Sequence, residues 1–210
     1  PGARVVGSDA SSLPAISALA DLVARELDRI DLLFVNAGVA TLDPFADVTE
    51  ASYDHAFALN AKGAFFTAQR LAPRIVDGGA LVFTTSIANA GGNPGMTVYA
   101  GTKAALRAFA QGLAAELLPR RIRVNAVSPG FIKTPTMGVA SATDALRAAF
   151  EQEGNALTPM RRIGTPDEVA AAVLFLAFDA TFTTGVELAI DGGLGQHLTA
   201  PHDPSAAQAG

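Results

Sequence analysis

Two kinds of apolar pattern alternate along the chain and predict strands followed by helices. Short continuous apolar runs occur at 31–35 and 80–84, and such runs are typical of strands buried on both faces of a parallel sheet. Between them the apolar residues recur at helical spacing, most clearly in the alanine- and leucine-rich segment 98–118. We therefore predict a parallel α/β sheet with helices on both faces.

The complete set of predicted elements follows this alternation. The predicted strands are 4–6, 31–35, 80–84, 121–127 and 186–190. A first helix starts near Ser11 or Ser12 and carries an apolar stripe made of Ile16, Leu19, Val23, Leu27 and Ile30. The later predicted helices are 49–58, 61–76, 98–118 and 166–178. Residues 134–160 mix helical sequence with glycine and proline, as a mobile flap would. We expect one domain over residues 1–195 and a polar tail over 196–210.

Composition narrows the class of protein. The chain has 210 residues, half of them hydrophobic (50%), which is enough for one sizeable core. Its net charge of −5 argues against nucleic acid or an anionic membrane as the main partner. It has no cysteine, and His55, His197 and His202 show no metal-ligand spacing, so we expect no metal site. The longest apolar run, 169–178, is about half a membrane span. No signal peptide is visible, and we expect a cytoplasmic protein.

Polar and glycine-rich positions follow the predicted strands at their carboxyl ends. They are Asp9, Asn36 to Gly38, Ser86, and Pro129 with Gly130. Ligands of parallel α/β sheets bind beyond these ends. Each position also has a local explanation, because Asp9 can cap a helix and the others can form turns or loops. It is their convergence that predicts a binding site.

A tyrosine and a lysine on the predicted helix 98–118 are the main candidates for chemistry. Tyr99 and Lys103 are four residues apart and therefore lie on one face, one turn apart. An ammonium near a phenol favours the phenolate and would lower the tyrosine pKa from about 10 toward neutrality. Such a phenol can exchange a proton near neutral pH, while Ser86 could hold a carbonyl or alcohol oxygen. A Tyr-x-x-x-Lys pair also arises by chance on amphipathic helices, so the pair alone indicates little.

Taken together, these motifs resemble the short-chain dehydrogenase/reductase family from about residue 3 to about residue 195. The tetrad of that family falls on Asn60, Ser86, Tyr99 and Lys103. Its Asn-Asn-Ala-Gly motif appears as Val35-Asn36-Ala37-Gly38, and its Pro-Gly-x-x-x-Thr motif spans 129–134. Residues 164–193 are similar to its last helix, Thr-Gly turn and final strand. Bacterial carbonyl and alcohol reductases of the family look most similar.

The resemblance implies hydride transfer between NAD or NADP and a carbonyl or secondary alcohol. Tyr99 would exchange the proton of the substrate oxygen and Ser86 would hydrogen-bond that oxygen. Lys103 would lower the tyrosine pKa and bind the nicotinamide ribose, and Asn60 would hold a water that passes protons to Lys103. The implied cofactor-binding residues are Asp9 (at adenine), Asn36, Ala37, Gly38, Tyr99, Lys103, Pro129, Gly130, Ile132 and Thr134. The family also uses the helices at 61–76 and 98–118 as an interface, which implies a homodimer or homotetramer.

The N-terminal part of the chain departs from the family pattern. The family starts with a strand, a Thr-Gly-x-x-x-Gly-x-Gly turn and a helix, and this turn brings the backbone close to the cofactor pyrophosphate. These 210 residues contain no such turn, and residues 4–6 already resemble the third strand. We therefore expect a Rossmann-like, doubly wound sheet that is N-terminally truncated, without its first two strands and with strand 31–35 at an exposed edge. The residue that selects NAD or NADP normally follows the second strand, so the sequence predicts no preference. The alternative to an enzyme is a non-catalytic homologue that acts only through oligomerisation.

Overall fold

The fold is a four-stranded parallel sheet with helices between its strands. The computed structural model describes residues 2–40, 42–136 and 143–198. The strands are β1 (Ile30–Val35), β2 (Ile75–Thr84), β3 (Arg123–Pro129) and β4 (Glu187–Ile190). They lie in the order β1-β2-β3-β4, and every neighbouring pair is parallel. Parallel neighbours need a crossover connection, which the helices supply.

The described residues form six α-helices, and they confirm the predicted alternation. They are α1 (Leu13–Glu26), α2 (Glu50–Phe57), α3 (Ala64–Leu71), α4 (Thr97–Glu116), α5 (Asp144–Leu157) and α6 (Pro166–Leu174). Helix α1 precedes β1, and the other five lie in the crossovers. The cap of α1 is as predicted, because the Ser12 hydroxyl accepts a hydrogen bond from the Ala15 amide and Pro14 lies in the first turn. In the described part of the chain, no helix has the length and apolar character needed to cross a membrane.

The core lies on both faces of the sheet. Successive strand residues point to opposite faces, so Phe83 packs on one side with α3 and α4, while Val82 packs on the other with α6. Residues 80–83 of the central strand β2 are completely buried. This two-sided burial explains the continuous apolar run of the sequence and gives the Rossmann-like, doubly wound arrangement that was predicted.

The predicted strand at 4–6 is wrong. Residues 4–6 lie outside the sheet, and Val5 is 94% exposed. Arg4 forms an ion pair with Glu26 of α1, so this segment contacts the helix and does not pair with a strand. Among the described residues β1 pairs with β2 alone, which leaves its other edge open as expected. A strand is defined by its partner, and the apolar pattern of 4–6 does not specify one.

The boundaries of three other predicted elements are also corrected. The predicted helix 61–76 is too long at its C-terminal end. Pro73 prevents the helix from continuing, and Ile75 already belongs to β2 and is buried in the sheet. The predicted helix 166–178 ends as α6 at Leu174 and continues as the π-helical turn Phe175–Asp179. Leu27 and Ile30 are not on α1, since that helix ends at Glu26.

Part of the predicted flap is a regular helix. The segment 134–160 contains α5, a helix of 14 residues whose first turn is capped by Thr143. Residues 137–142 of this segment lie outside the described residues. So do most of the predicted tail, from residue 199, and His202. In the described ranges no group of three or more histidine or acidic side chains could hold a metal ion.

Candidate active site

Ser86 lies two residues after the end of the buried strand β2. Its hydroxyl accepts a hydrogen bond of 3.2 Å from the amide of Ala88 and so starts a short 3-10 turn, Ile87–Ala90. Since β2 is packed on both faces, the strand cannot shift, and the position of its carboxyl end is fixed. The serine is therefore held at the carboxyl edge of the sheet, where the strand-end pattern predicted a site.

Helix α4 brings Tyr99 and Lys103 to this serine. Tyr99 lies in the first turn of the helix and forms a hydrogen bond with the Ser86 side chain. Lys103 lies one turn later, with its Nζ atom 5.7 Å from the centre of the tyrosine ring. The same ammonium donates a hydrogen bond of 2.8 Å to the backbone carbonyl of Thr84. The structure thus brings together the three side chains that the sequence singled out for chemistry.

Burial dominates the electrostatics of this pair. It raises the pKa of Tyr99 above its ordinary 10, and the hydrogen bond with Ser86 opposes this only in part. Burial also lowers the pKa of Lys103 from 10.5 to about 8. The predicted lowering of the tyrosine pKa is therefore wrong for this structure. The physical reason is that the phenol is desolvated, while the ammonium lies over the ring and is bonded to a carbonyl.

Asn60 forms a buried clamp beneath these residues. It lies in the π-helical segment Ala58–Gly63, which joins α2 to α3, and its side chain is 0% exposed. Its Oδ1 atom accepts from the amide of Val39 (2.9 Å), and its Nδ2 atom donates to the Val39 carbonyl (2.8 Å) and to the Thr102 hydroxyl (3.1 Å). Both amide hydrogens are used, so the side chain ties the loop after β1 to α4.

The loop after β1 presents open backbone to this cluster. Asn36, Ala37 and Gly38 are exposed, and the Asn36 Oδ1 atom accepts a hydrogen bond of 2.8 Å from the Thr84 hydroxyl. A Cβ atom at Gly38 would lie 3.3 Å from both the Asn60 Oδ1 and the Lys103 Nζ atoms. Because Gly38 has no side chain, the space beside these two polar atoms stays free, and a polar group of a bound molecule could occupy it.

The other predicted cofactor-binding residues have partners of their own. The Asp9 carboxylate accepts from the amide (2.8 Å) and hydroxyl (2.7 Å) of Ser11, which lowers the pKa of Asp9 and forms the turn before α1. Gly130, which follows Pro129, donates its amide to the Ile190 carbonyl of β4. Ile132 forms a β-bridge with Gly164, and Thr134 is half-buried beyond it. Pro129 and Gly130 lie at the end of β3, as predicted, but Asp9 follows no strand, because residues 4–6 lie outside the sheet.

Two threonines at the site were missed by the sequence reasoning. Thr84 holds Lys103 through its carbonyl and Asn36 through its hydroxyl, and Thr102 contacts Asn60. Thr102 carries a signal in the sequence, since it is three residues after Tyr99 and directly before Lys103. A hydroxyl on that face of α4 must be buried together with the lysine, and a buried hydroxyl needs a partner.

The buried lysine predicts a measurable pH dependence of stability. Its pKa in the folded chain lies below that of the unfolded chain, so the unfolded chain binds this proton more tightly. Raising the pH from 7.5 to 9.5 should therefore increase the free energy of unfolding of the parent by about 1–2 kcal/mol relative to a Lys103→Met variant. Below about pH 7 both states keep the proton and the two curves should run parallel.

Urea denaturation of the parent and Lys103→Met at several pH values measures this difference. Groups that titrate in both proteins cancel in the comparison, and the range stays below the raised pKa of Tyr99. Curves that remain parallel up to pH 9.5 would show that Lys103 keeps an ordinary pKa.

The fold and the site together define a class of protein. A parallel α/β sheet carries a strand-end serine that is hydrogen-bonded to the tyrosine of a Tyr-x-x-x-Lys pair, with a buried asparagine below. These features define a parallel α/β protein whose groups for proton exchange lie at the carboxyl edge of the sheet, where ligands of this fold class bind.

Comparisons with known proteins give the family. A family model described as Enoyl-(Acyl carrier protein) reductase matches residues 1–195. The chain is 36% identical over 182 residues to the 3-oxoacyl-[acyl-carrier-protein] reductase FabG of Thermotoga maritima, covering 85% of this chain and 72% of that protein. It is 38% identical over 177 residues to the cyclopentanol dehydrogenase of Comamonas testosteroni, covering 82% and 69%.

Solved structures agree with this result. A short-chain dehydrogenase/reductase from Brucella melitensis superimposes with a TM-score of 0.83 at 30% identity, covering 91% of this chain and 76% of that one. An NAD⁺-bound xylitol dehydrogenase gives a TM-score of 0.78 at 31% identity, covering 89% and 77%. The chain belongs to the short-chain dehydrogenase/reductase family. It is an NAD(P)-dependent oxidoreductase of the carbonyl/alcohol type.

Proposed function

We propose that the cluster around Ser86 and Tyr99 is the catalytic site for reversible hydride transfer between a nicotinamide cofactor and a secondary alcohol or its ketone. The hydrogen bond between Ser86 and Tyr99 at the carboxyl edge of the sheet carries this proposal. It holds a neutral hydroxyl and a phenol side by side, so one substrate oxygen can contact both. When bound, the nicotinamide ring gives or accepts the hydride.

In this proposal each side chain of the cluster has a separate role. Ser86 hydrogen-bonds the substrate oxygen and stabilises the charge that develops on it. Tyr99 donates a proton to a carbonyl oxygen in reduction and removes the hydroxyl proton in oxidation. Its raised pKa keeps the phenol protonated at neutral pH, and this is the form that donates the proton in reduction. Lys103 supplies positive charge next to the ring, and Asn60 holds the loop after β1 against α4.

We propose that the cofactor lies along the carboxyl edge of the sheet, beside the loop after β1. The open backbone at Gly38 supports this placement, because it borders both Lys103 and Asn60. Lys103 would contact the nicotinamide ribose, while Asn36 and Ala37 lie on the adenosine side. The residues proposed for the remaining contacts are Asp9, Pro129, Gly130, Ile132 and Thr134. NAD and NADP are both candidates.

The named relatives suggest which substrates to test first. The cyclopentanol dehydrogenase and the xylitol dehydrogenase are named for a secondary alcohol and a polyol, and FabG is named for a 3-oxoacyl-[acyl-carrier-protein]. What these compounds share is a secondary alcohol or ketone carbon, the centre that the Ser86–Tyr99 pair can address. We propose this chemical class as the substrate of the chain.

We also propose that the chain is one domain over residues 1–195 that acts in the cytoplasm as a homodimer or homotetramer. Helices α3 and α4 would form the interface. The apolar side chains Phe65, Phe109, Leu113 and Leu117 support this, since they are only half-buried within the chain. Phe65 and Phe109 also contact each other, with ring centres 5.1 Å apart, and so hold the two helices together.

Thermal unfolding with NADH and NADPH in separate samples tests the proposal. A cofactor at a hundredfold excess over its Kd should stabilise the chain by about 2.7 kcal/mol. The cofactor that raises the Tm is then used to assay oxidation of cyclopentanol and reduction of cyclopentanone. A chain that oligomerises but shows neither a Tm shift nor turnover would contradict the proposal and support the non-catalytic alternative.

A further inference from the structure

We propose that Thr102 is a positioning residue, whose hydroxyl links the buried amide of Asn60 to the backbone of Tyr99 and so fixes where the phenol meets Ser86. The inference rests on the proposed function of that pair, and it adds a residue that the tetrad does not contain. The Thr102 hydroxyl is bonded to the Asn60 amide and the Tyr99 carbonyl, and not to the phenol or the serine hydroxyl. It acts through the helix turn that carries Tyr99.

The first observation is the double hydrogen bond of the Thr102 hydroxyl. Its Oγ1 atom donates to the Tyr99 carbonyl at 2.7 Å and accepts from the Asn60 Nδ2 atom at 3.1 Å. Threonines inside helices often bond to a carbonyl of the preceding turn. Here the same oxygen is also the acceptor of a buried amide, so the local bond becomes part of a network.

The second observation is burial. Thr102 and Asn60 are both 0% exposed, so water has no access to either group. If the threonine hydroxyl were removed, the Asn60 amide hydrogen would have no partner and the Tyr99 carbonyl would lose one. The clamp therefore depends on the hydroxyl at position 102, and an aliphatic side chain of the same shape could not replace it.

The third observation is where the network leads. Asn60 is bonded at its other end to both backbone groups of Val39, which lies one residue after Gly38. The chain of bonds thus runs from the loop after β1, through Asn60 and Thr102, to the first turn of α4. That turn positions the phenol for its contacts with the Ser86 hydroxyl and with Lys103, the cation that faces its ring. A shift of the turn changes both contacts at once.

The two tyrosines of the sequence make this inference directly measurable. The chain has Tyr53 and Tyr99 and no tryptophan, so in a Tyr53→Phe background the ultraviolet absorbance of tyrosinate reports Tyr99 alone. Tyr53 is 45% exposed and stacks on Phe57, a contact that phenylalanine can keep. A stopped-flow pH jump reads the absorbance before the alkaline solution unfolds the chain.

In this background we compare Thr102→Val, Thr102→Ser and the unchanged threonine. The valine variant should release the first turn of α4 and admit water to the phenol, so the titration midpoint of Tyr99 should fall toward 10 by at least about half a pH unit. The serine variant keeps the hydroxyl and should restore the midpoint.

A matched control separates positioning from general loosening of the helix. Ala110 is buried on α4 two turns further on, and Ala110→Gly weakens the helix without touching the network. It should leave the Tyr99 midpoint unchanged. Equal midpoints for the threonine and valine proteins, no rescue by serine, or an equal shift in Ala110→Gly would each overturn the inference. Because the titration needs neither cofactor nor substrate, a parent without turnover would contradict the proposed function and leave this result readable.

Discussion

Replacing Tyr99 with phenylalanine is expected to lower kcat for cyclopentanol oxidation by about 10³-fold, with little change in cofactor binding. The phenylalanine keeps the ring and its burial but removes the hydroxyl that bonds to Ser86. A positioned acid–base group contributes about 10²–10⁴-fold to rate, and no other group at this position can exchange the proton. Steady-state rates with NAD⁺ and NADP⁺ measure the effect, and the Tm shift on adding cofactor shows that the site still forms.

The matched control is the other tyrosine. Tyr53→Phe makes the same chemical change on α2, where the ring is partly exposed and stacks on Phe57. Its kcat should stay within about twofold of the parent. If Tyr99→Phe retained a tenth or more of the parent rate, the proton would have to move through another group, and the assigned role of Tyr99 would be wrong.

Replacing Gly63 with alanine is expected to destabilise the protein by about 3 kcal/mol, the largest effect on stability that we predict for a single methyl group. A Cβ atom at this position would lie 1.9 Å from the Ala10 carbonyl oxygen. That oxygen belongs to the backbone of the turn before α1, so neither group can move aside as a flexible side chain could. The clash also falls in the π-helical segment that carries Asn60, and cofactor binding should weaken with stability.

Gly112→Ala is the control for this substitution. Gly112 lies inside α4, and a Cβ atom there would meet nothing within 4 Å. Alanine should therefore stabilise the helix by about 0.5–1 kcal/mol. Urea denaturation compares both variants with the parent. If Gly63→Ala unfolded at the same urea concentration as the parent, the close packing of Ala10 on this glycine would not exist in solution.

The sequence predicted which of these side chains come together better than it predicted which strands pair. Spacing placed Tyr99 and Lys103 on one helix face, and the strand-end pattern placed Ser86 beside them, because both inferences depend on fixed local geometry. The strand predicted at Val5 failed because its apolar pattern specifies an extended segment but not a neighbour. The predicted helix 61–76 extended into β2 for a related reason. Ile75 is compatible with a helix or with a buried strand, and only its pairing in the sheet decides between them.

The pKa shift of Tyr99 and the hydrogen bonds of Asn60 could not be predicted from the sequence and became visible only in the structure. Proximity of Lys103 suggested a lowered pKa for Tyr99, but desolvation has the larger effect and depends on how deeply the ring is buried. The π-helical segment that turns Asn60 toward Val39 has no sequence signature that separates it from an α-helix. The role of Thr102 follows from that turn, so it also becomes visible only when the helices are packed.

The order of the strands has a consequence for how the protein folds. Because β1, β2, β3 and β4 are neighbours in space in the same order as in the chain, each new strand pairs with the one synthesised just before it. Every pairing closes a single crossover, and the entropy lost in closing a loop grows only slowly with its length. The sheet can therefore grow in one direction as the chain leaves the ribosome. Ser86 and the helix with Tyr99 can then assemble on β2 and β3 before β4 has been made.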